Sequence, residues 1–111
     1  MRRLFIIARD KALRRALRDY IALTGIAPLI DNGPDLFDLH PPQGAAVVTS
    51  AVDMAPGAVA YLSSGHGAHL LVLAPIPNDF DRNQYEQQGA LYVPMTVDRD
   101  VLMPPLLQVL G

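Results

Sequence analysis

The stretch RLFIIARDKALRRALRDYIALTG, Arg3–Gly25, contains a complete strand-and-helix unit. Its apolar run Leu4–Ala8 is continuous, which is typical of a strand covered on both faces. From Lys11 to Thr24 the apolar residues recur at helical spacing. Asp10 is a suitable N-cap, and Gly25 stands where a helix usually closes in the left-handed conformation. The stretch therefore predicts a buried strand followed by an amphipathic helix.

The rest of the chain repeats this alternation of short apolar runs and helical segments. Further strands are predicted at Ile26–Ile30, from Ala45 to Ser50, at His69–Ala74 and at Ala90–Val93. A further helix is predicted through Ala58 to Ser64, with Pro56 in its first turn. Another runs from Asp79 or Asp81 to Gln88. A last one begins at Asp98, and Pro104 and Pro105 are expected to kink or restart it. Strands that alternate with helices predict an α/β fold with a parallel sheet. Five strands in 111 residues favour a flavodoxin-like, doubly wound sheet of order 2-1-3-4-5 with helices on both faces.

Length and composition restrict the classes of protein that the chain can represent. Its 111 residues suffice for one compact domain, residues 1–111, but not for two. The absence of cysteine excludes disulfides, thiolate catalysis and zinc–cysteine sites. The apolar run Leu4–Ala8 is too short for the core of a secretory signal, and no stretch approaches membrane-spanning length. The sequence therefore predicts a cytoplasmic protein that does not contact a membrane.

The charges are unevenly distributed along the chain. Residues 1–24 carry a net charge of +5, while residues 25–111 carry −7. A solvated helix face accounts for the basic segment, but such a segment could also steer an acidic partner or a second copy of the chain. Because no aromatic residues are interleaved with the arginines, nucleic-acid binding is not predicted.

The chain resembles the receiver domain of bacterial two-component response regulators, the CheY-like family, most strongly in two segments. They are Arg3–Gly25 and DRNQYEQQGALYVPMTVDRDVL, Asp81–Leu102. Within the second, QQGALYVP corresponds to the family's recurrent pattern Glu-Ala-Gly-Ala-x-x-Tyr-hydrophobic-x-Lys-Pro. The resemblance covers essentially the whole chain and implies the same flavodoxin-like fold.

Receivers of this family transfer a phosphoryl group with a fixed set of side chains. Two acids after strand one hold Mg²⁺, an aspartate after strand three accepts the phosphoryl group, and a hydroxyl and a lysine follow strands four and five. By the resemblance, the acidic pair corresponds to Ala8 and Arg9, followed by Asp10, while the hydroxyl corresponds to Ala74 and the lysine to Met95. A guanidinium at the metal position repels the ion. The resemblance therefore implies an atypical, or pseudo-, receiver without metal, cofactor or enzymatic activity.

The position of the phosphoacceptor has two interpretations. The length of strand three places it at Thr49 or Ser50, whereas DMAPG, read as a shortened Asp-x-x-x-Pro-Gly motif, makes Asp53 the acceptor. In the second case Asp53 would still lack the metal site, the hydroxyl and the lysine. It is then expected to pair with Arg9 in an internal salt bridge.

A scaffold without its chemistry suggests a module for protein interaction. In receivers, helix four, strand five and helix five form a face that makes dimer and effector contacts. The candidate contact residues here, on helix one and on that face, are Arg14, Arg18, Arg82, Tyr85, Tyr92, Asp98 and Arg99. The expected partner is another protein or a second copy in a homodimer, and the chain is either a stand-alone protein or the N-terminal part of a larger regulator.

Two other functions stay open at this point. Doubly wound sheets bind ligands at the carboxyl ends of their strands. The cleft near these ends could therefore serve a small-molecule or anion sensor, and its residues are Arg9, Ser50, Asp53 and Ala74. Alternatively, Asp10 and Asp53 could serve a working phosphoreceiver.

Overall fold

The computed structural model describes residues 2–26, 41–52 and 54–111. In these residues, four strands alternate with four helices in the order β1 (Leu4–Ile6), α1 (Lys11–Leu23), β2 (Ala46–Ser50), α2 (Pro56–Ala60), β3 (His69–Ala74), α3 (Asp79–Gln87), β4 (Leu91–Pro94) and α4 (Arg99–Leu110). A π-helical turn, Tyr61–Gly65, continues α2. None of the helices in the described ranges has the length and apolar character that a membrane span requires.

The four strands form one parallel sheet in the order β1-β2-β3-β4. Val48 in the middle of β2 pairs with Ile6 of β1 and with Leu71 of β3. The predicted α/β architecture with a parallel sheet is confirmed. The predicted strand Ile26–Ile30 falls mostly on residues 27–30, outside the described residues, so the fifth strand and the order 2-1-3-4-5 stay predictions.

Both faces of the sheet are buried, as the continuous apolar runs predict. Successive side chains of a strand point to opposite faces. In β2, Val48 joins the core cluster that packs against α1 and α4, while Val47 joins the cluster that packs against α2 and α3. The sheet is therefore the middle layer of three, and the connecting loops lie at the two ends of its strands.

Helix α1 begins and ends where the sequence predicts. The Asp10 carboxylate accepts a hydrogen bond from the backbone N–H of Ala12, with Oδ1 and N 2.8 Å apart. Gly25 has φ +79°, the left-handed conformation that closes a helix at low cost only in glycine. Strand β1, by contrast, ends at Ile6, two residues before the predicted end.

The other predicted helix ends need two corrections. Asn78, rather than Asp79 or Asp81, caps α3, because its Oδ1 accepts a hydrogen bond of 2.8 Å from the backbone N–H of Asp81. Helix α4 does not restart at Pro104 and Pro105 but runs without a break.

Burial explains why α4 continues through its two prolines. Each proline removes one helical donor and leaves a carbonyl of the preceding turn without its usual partner. The residues beyond the prolines compensate, because Leu106, Val109 and Leu110 are at most 3% exposed and belong to the core. The Arg2 backbone N–H also donates to the carbonyl of Leu110 at 2.7 Å, which attaches the end of α4 to the start of the chain.

Candidate functional site

The carboxyl ends of the four strands meet at one edge of the sheet, called here the carboxyl edge. Backbone hydrogen bonds continue between neighbouring strands beyond their ends: Ala51 donates to Leu73 at 3.0 Å, and Met95 donates to Ala74 at 2.8 Å. These bonds fix the first residue of each connecting loop. The structure therefore brings the predicted site positions after β1, β2, β3 and β4 to the same edge.

The end of β1 is bound by a buried arginine, Arg14. Its Nη1 donates to the carbonyl oxygen of Ala8 at 2.6 Å and to that of Arg9 at 3.0 Å. Arg14 is only 7% exposed, which corrects the prediction that it is available on helix α1 as a contact residue. Burying a charged group is costly unless hydrogen bonds replace its water, and the two carbonyls supply such bonds.

Arg14 gives the end of β1 a positive charge. Its guanidinium occupies the backbone carbonyl oxygens of Ala8 and Arg9, the two positions that correspond to the acidic pair of the resemblance. The neighbouring Asp10 carboxylate caps α1. Ala8 itself is fully buried and offers no side-chain ligand.

The two hydroxyls at the end of β2 are also engaged with the backbone. Thr49 Oγ1 donates to the carbonyl oxygen of Ile7 at 2.6 Å, which ties β2 to the loop after β1. Ser50 Oγ accepts a hydrogen bond from the backbone N–H of Val52 at 3.1 Å. Both side chains are 0% exposed. Asp53 lies outside the described residues, so the choice of acceptor position and the Arg9–Asp53 pairing stay predictions.

The positions after β3 and β4 are apolar. Ala74 is buried, and the half-buried Met95 packs against the core cluster on the α1–α4 side. Thr96, which follows Met95, accepts a hydrogen bond on Oγ1 from the backbone N–H of Asp98 at 3.2 Å. Neither Ala74 nor Met95 can supply the hydroxyl or the cation that binds phosphoryl oxygens in the family.

A pair of stacked tyrosines connects three elements beside this edge. The rings of Tyr85 on α3 and Tyr92 on β4 are 5.5 Å apart with an interplanar angle of 21°. Tyr85 donates its hydroxyl to the carbonyl oxygen of Met54 at 2.6 Å, and the Tyr92 hydroxyl accepts from the backbone N–H of Asn78 at 3.3 Å. Arg82 lies over the Tyr92 ring, with Cζ 5.6 Å from the centroid. The pair thus holds the loops after β2 and β3 against β4.

The surroundings of Tyr85 disfavour its ionised form. Burial raises the pKa of the Tyr85 phenol above its usual value, and the negative charge of Asp81 and the neighbouring Tyr92 raise this pKa further. The Tyr85 phenol therefore keeps its proton, which it donates in the hydrogen bond to the Met54 carbonyl oxygen.

The predicted contact residues divide into two groups. Arg14, Tyr85 and Tyr92 are buried, so the prediction that they are surface contact residues is wrong. The other four are exposed: Arg18, Arg82, Asp98 and Arg99. Their role in a contact stays a prediction.

Sequence reasoning missed the functions of the buried three. For Arg14 a signal existed, because it precedes the buried Leu17 and Ile21 by three and seven residues and so shares their side of α1. For the tyrosine pair no local signal existed.

Comparison with known proteins identifies the fold. No protein-family model matches the sequence, and no curated protein matches it significantly. The structure is similar to the crystal structure of the signal receiver domain of a modulated diguanylate cyclase from Desulfovibrio desulfuricans, described as an example of alternate folding. The TM-score is 0.61 at 16% sequence identity, over 99% of this chain and 94% of that one. The chain therefore has a receiver-like fold.

Replacing the buried arginine should destabilise the protein. In Arg14→Met the carbonyls of Ala8 and Arg9 lose a charged donor, and we expect the free energy of unfolding to fall by about 1–3 kcal/mol. Arg15→Met is the matched control, since Arg15 is the exposed neighbour on the same helix and its loss should change stability by less than about 0.5 kcal/mol. Urea denaturation measures both values. Equal losses in the two variants would contradict the assigned role of Arg14.

The raised pKa of Tyr85 makes stability depend on alkaline pH. Because ionisation is easier in the unfolded chain, stability should be intact below the unfolded pKa of about 10 and fall as the pH rises toward the folded pKa. Tyr85→Phe should lose about 1–2 kcal/mol at neutral pH, because the Met54 carbonyl loses its donor, and should show a smaller alkaline loss. Urea denaturation between neutral pH and pH 11 tests this. Tyr61→Phe, which retains Tyr85, is the control, and an unchanged alkaline slope in Tyr85→Phe would refute the prediction.

Proposed function

We propose that the chain is a receiver-like interaction module in bacterial signalling or regulation whose output does not require aspartyl phosphorylation. The receiver-like fold supports a role in signalling. The observation that carries the proposal is that the two positions of the family's metal-binding acids hold a buried alanine, Ala8, and a positively charged arginine, Arg9. Phosphoryl transfer to a carboxylate needs a metal ion to offset the negative charge of both groups, and neither side chain is a ligand for such an ion.

The remaining positions of the carboxyl edge support the same proposal. Ala74 and Met95 stand where the hydroxyl and the lysine of the family would be, and Thr49 and Ser50 bind backbone groups. A scaffold that keeps its sheet while its edge lacks these groups is suited to presenting a surface. We therefore propose a non-enzymatic cytoplasmic module that binds another protein or a second copy of itself.

The proposal includes the complete receiver topology. A strand at Ile26–Ile30 beside β1 would extend the described order to 2-1-3-4-5. The described sheet supports this, because β1 pairs with β2 on one side and lies at the end of the described order.

An anion sensor is the second candidate function. The observation in its favour is that two arginines, the buried Arg14 and the exposed Arg9, lie at the end of β1. Doubly wound sheets bind ligands at this edge, and a guanidinium binds phosphate or carboxylate oxygens well.

A phosphorylation assay distinguishes the interaction module from a working phosphoreceiver that uses Asp10 and Asp53. After incubation with acetyl phosphate and Mg²⁺, we expect the intact mass of the protein to stay unchanged. A receiver domain with all five functional side chains, treated in parallel, shows that the reagent is active. A stable gain of one phosphoryl group would overturn the proposed function.

A thermal-shift assay with anions distinguishes the interaction module from the anion sensor. If the chain is an interaction module, phosphate, sulfate and nucleotides should leave the Tm unchanged beyond the effect of equal ionic strength. A Tm increase that saturates with one of these anions and disappears in Arg9→Ala would favour the sensor. Arg3→Ala, which removes a positive charge that precedes β1, controls for general charge effects.

A further inference from the structure

The outer side of β4, called here the β4 edge, is open. Strand β4 ends the described sheet order, and no strand of the described residues pairs with this side of it. The backbone N–H of Met95 donates to the carbonyl oxygen of Ala74 on β3, and successive residues of a strand present their backbone groups to opposite sides. The N–H and C=O of Tyr92 and the C=O of Pro94 therefore point away from β3. Such an edge is a template for pairing with a further strand.

A groove of about 450 Å³ lies on the β4 edge. Residues of β4, of the end of α3 and of the second half of α4 line it together, so they form one contiguous surface. Among the described residues that line the groove, Glu86 alone carries a charge. Its other lining residues include Leu91, Val93, Pro104 and Pro105.

The backbone of the β4 edge is complementary to itself in one antiparallel register. A two-fold axis beside Tyr92 joins this residue to Tyr92 of a second copy through two N–H···O=C bonds. Two residues further, Pro94 faces Ala90, whose N–H already donates to the Tyr85 carbonyl oxygen at 3.2 Å. Because proline has no N–H, this register leaves no donor without an acceptor. It also confines the backbone pairing to Tyr92.

The charges of α3 are complementary about the same axis. The stacked rings of Tyr85 and Tyr92 put the middle of α3 level with Tyr92. Arg82 and Glu86, one helical turn apart, lie on the side of the β4 edge: Arg82 Cζ is 5.6 Å from the centroid of the Tyr92 ring, and Glu86 lines the groove. Antiparallel α3 helices that meet at this level place Arg82 of each copy opposite Glu86 of the other.

The two aspartates of α3 face uncharged residues in this arrangement. At equal distances from the axis, Asp79 is opposite Gly89 and Asp81 is opposite Gln87. Residues 101–111, which include the part of α4 that lines the groove, contain no ionisable side chain. The contact therefore brings no like charges together, and its ion pairs favour a second copy of the chain.

We propose that two copies of the chain associate through their β4 edges as an antiparallel, two-fold pair, an inference that rests on the proposed interaction function and names its partner. The sheet then continues from one copy into the other. The interface contains two Tyr92 backbone bonds, two contacts of Leu91 with Val93 and two ion pairs of Arg82 with Glu86. Because both copies use the same surface, association stops at the dimer.

Charge reversal tests the register by sedimentation equilibrium. Arg82→Glu and Glu86→Arg each convert two opposite-charge pairs into two like-charge pairs, so we expect either variant to raise the dimer Kd about tenfold or more. A mixture of the two variants recreates both ion pairs between different copies, and so does the double variant between identical ones. Both should return the Kd close to the wild-type value, which also shows that the variants are folded. Arg15→Glu on α1 is the control and should leave the Kd unchanged.

Cysteine cross-linking tests the pairing of the strands, since the native chain contains no cysteine. In the proposed register Leu91 faces Val93 of the second copy in a non-hydrogen-bonded pair, with Cα atoms about 4.5 Å apart, which a disulfide can span. Leu91→Cys mixed with Val93→Cys under oxidising conditions should therefore give a disulfide-linked dimer. In either variant alone the two cysteines are diagonal neighbours about 7–8 Å apart and should link far more slowly. An affinity tag on one variant identifies the mixed product by mass.

Four results would each overturn the inference. They are a wild type that stays monomeric up to about 1 mM, a charge variant that dimerises as tightly as the wild type, a mixture of charge variants without restored affinity, and cross-linking no faster in the cysteine mixture than in either variant alone.

These outcomes are independent of the test of the proposed function. If the dimer fails while acetyl phosphate leaves the mass unchanged, the interaction module stands with a different protein as its partner. If the chain is phosphorylated but dimerises as described, the proposed independence from phosphorylation fails and the pairing of the β4 edges stands.

Discussion

The buried guanidinium of Arg14 stabilises the first loop of the carboxyl edge. A charge removed from water costs several kcal/mol unless its hydrogen bonds are replaced, and here the carbonyls of Ala8 and Arg9 replace them. The same bonds hold the start of α1 to the end of β1. They also place a positive charge beneath the loops of the carboxyl edge. One interaction therefore stabilises the fold and contributes to the electrostatics of this edge.

On the other side of the edge, the stacked tyrosines have the corresponding structural effect. Tyr85 binds the loop after β2, and Tyr92 binds the start of α3 through Asn78. Together with the Thr49 bond to the Ile7 carbonyl, these contacts join the loops to backbone groups rather than to a ligand. These internal hydrogen bonds therefore define the arrangement of the loops that they join at the carboxyl edge.

The sequence predicted those features of the fold that depend on local signals. Continuous apolar runs identified the strands, and Asp10 and Gly25 identified the ends of α1, because caps and periodicity act within a few residues. Features that depend on tertiary burial were missed. Arg14 is charged, so its alignment with the buried side of α1 was outweighed by its residue type. Helix α4 continues through Pro104 because packing of its second half outweighs local propensity, and the tyrosine pair joins two elements that are separate in sequence.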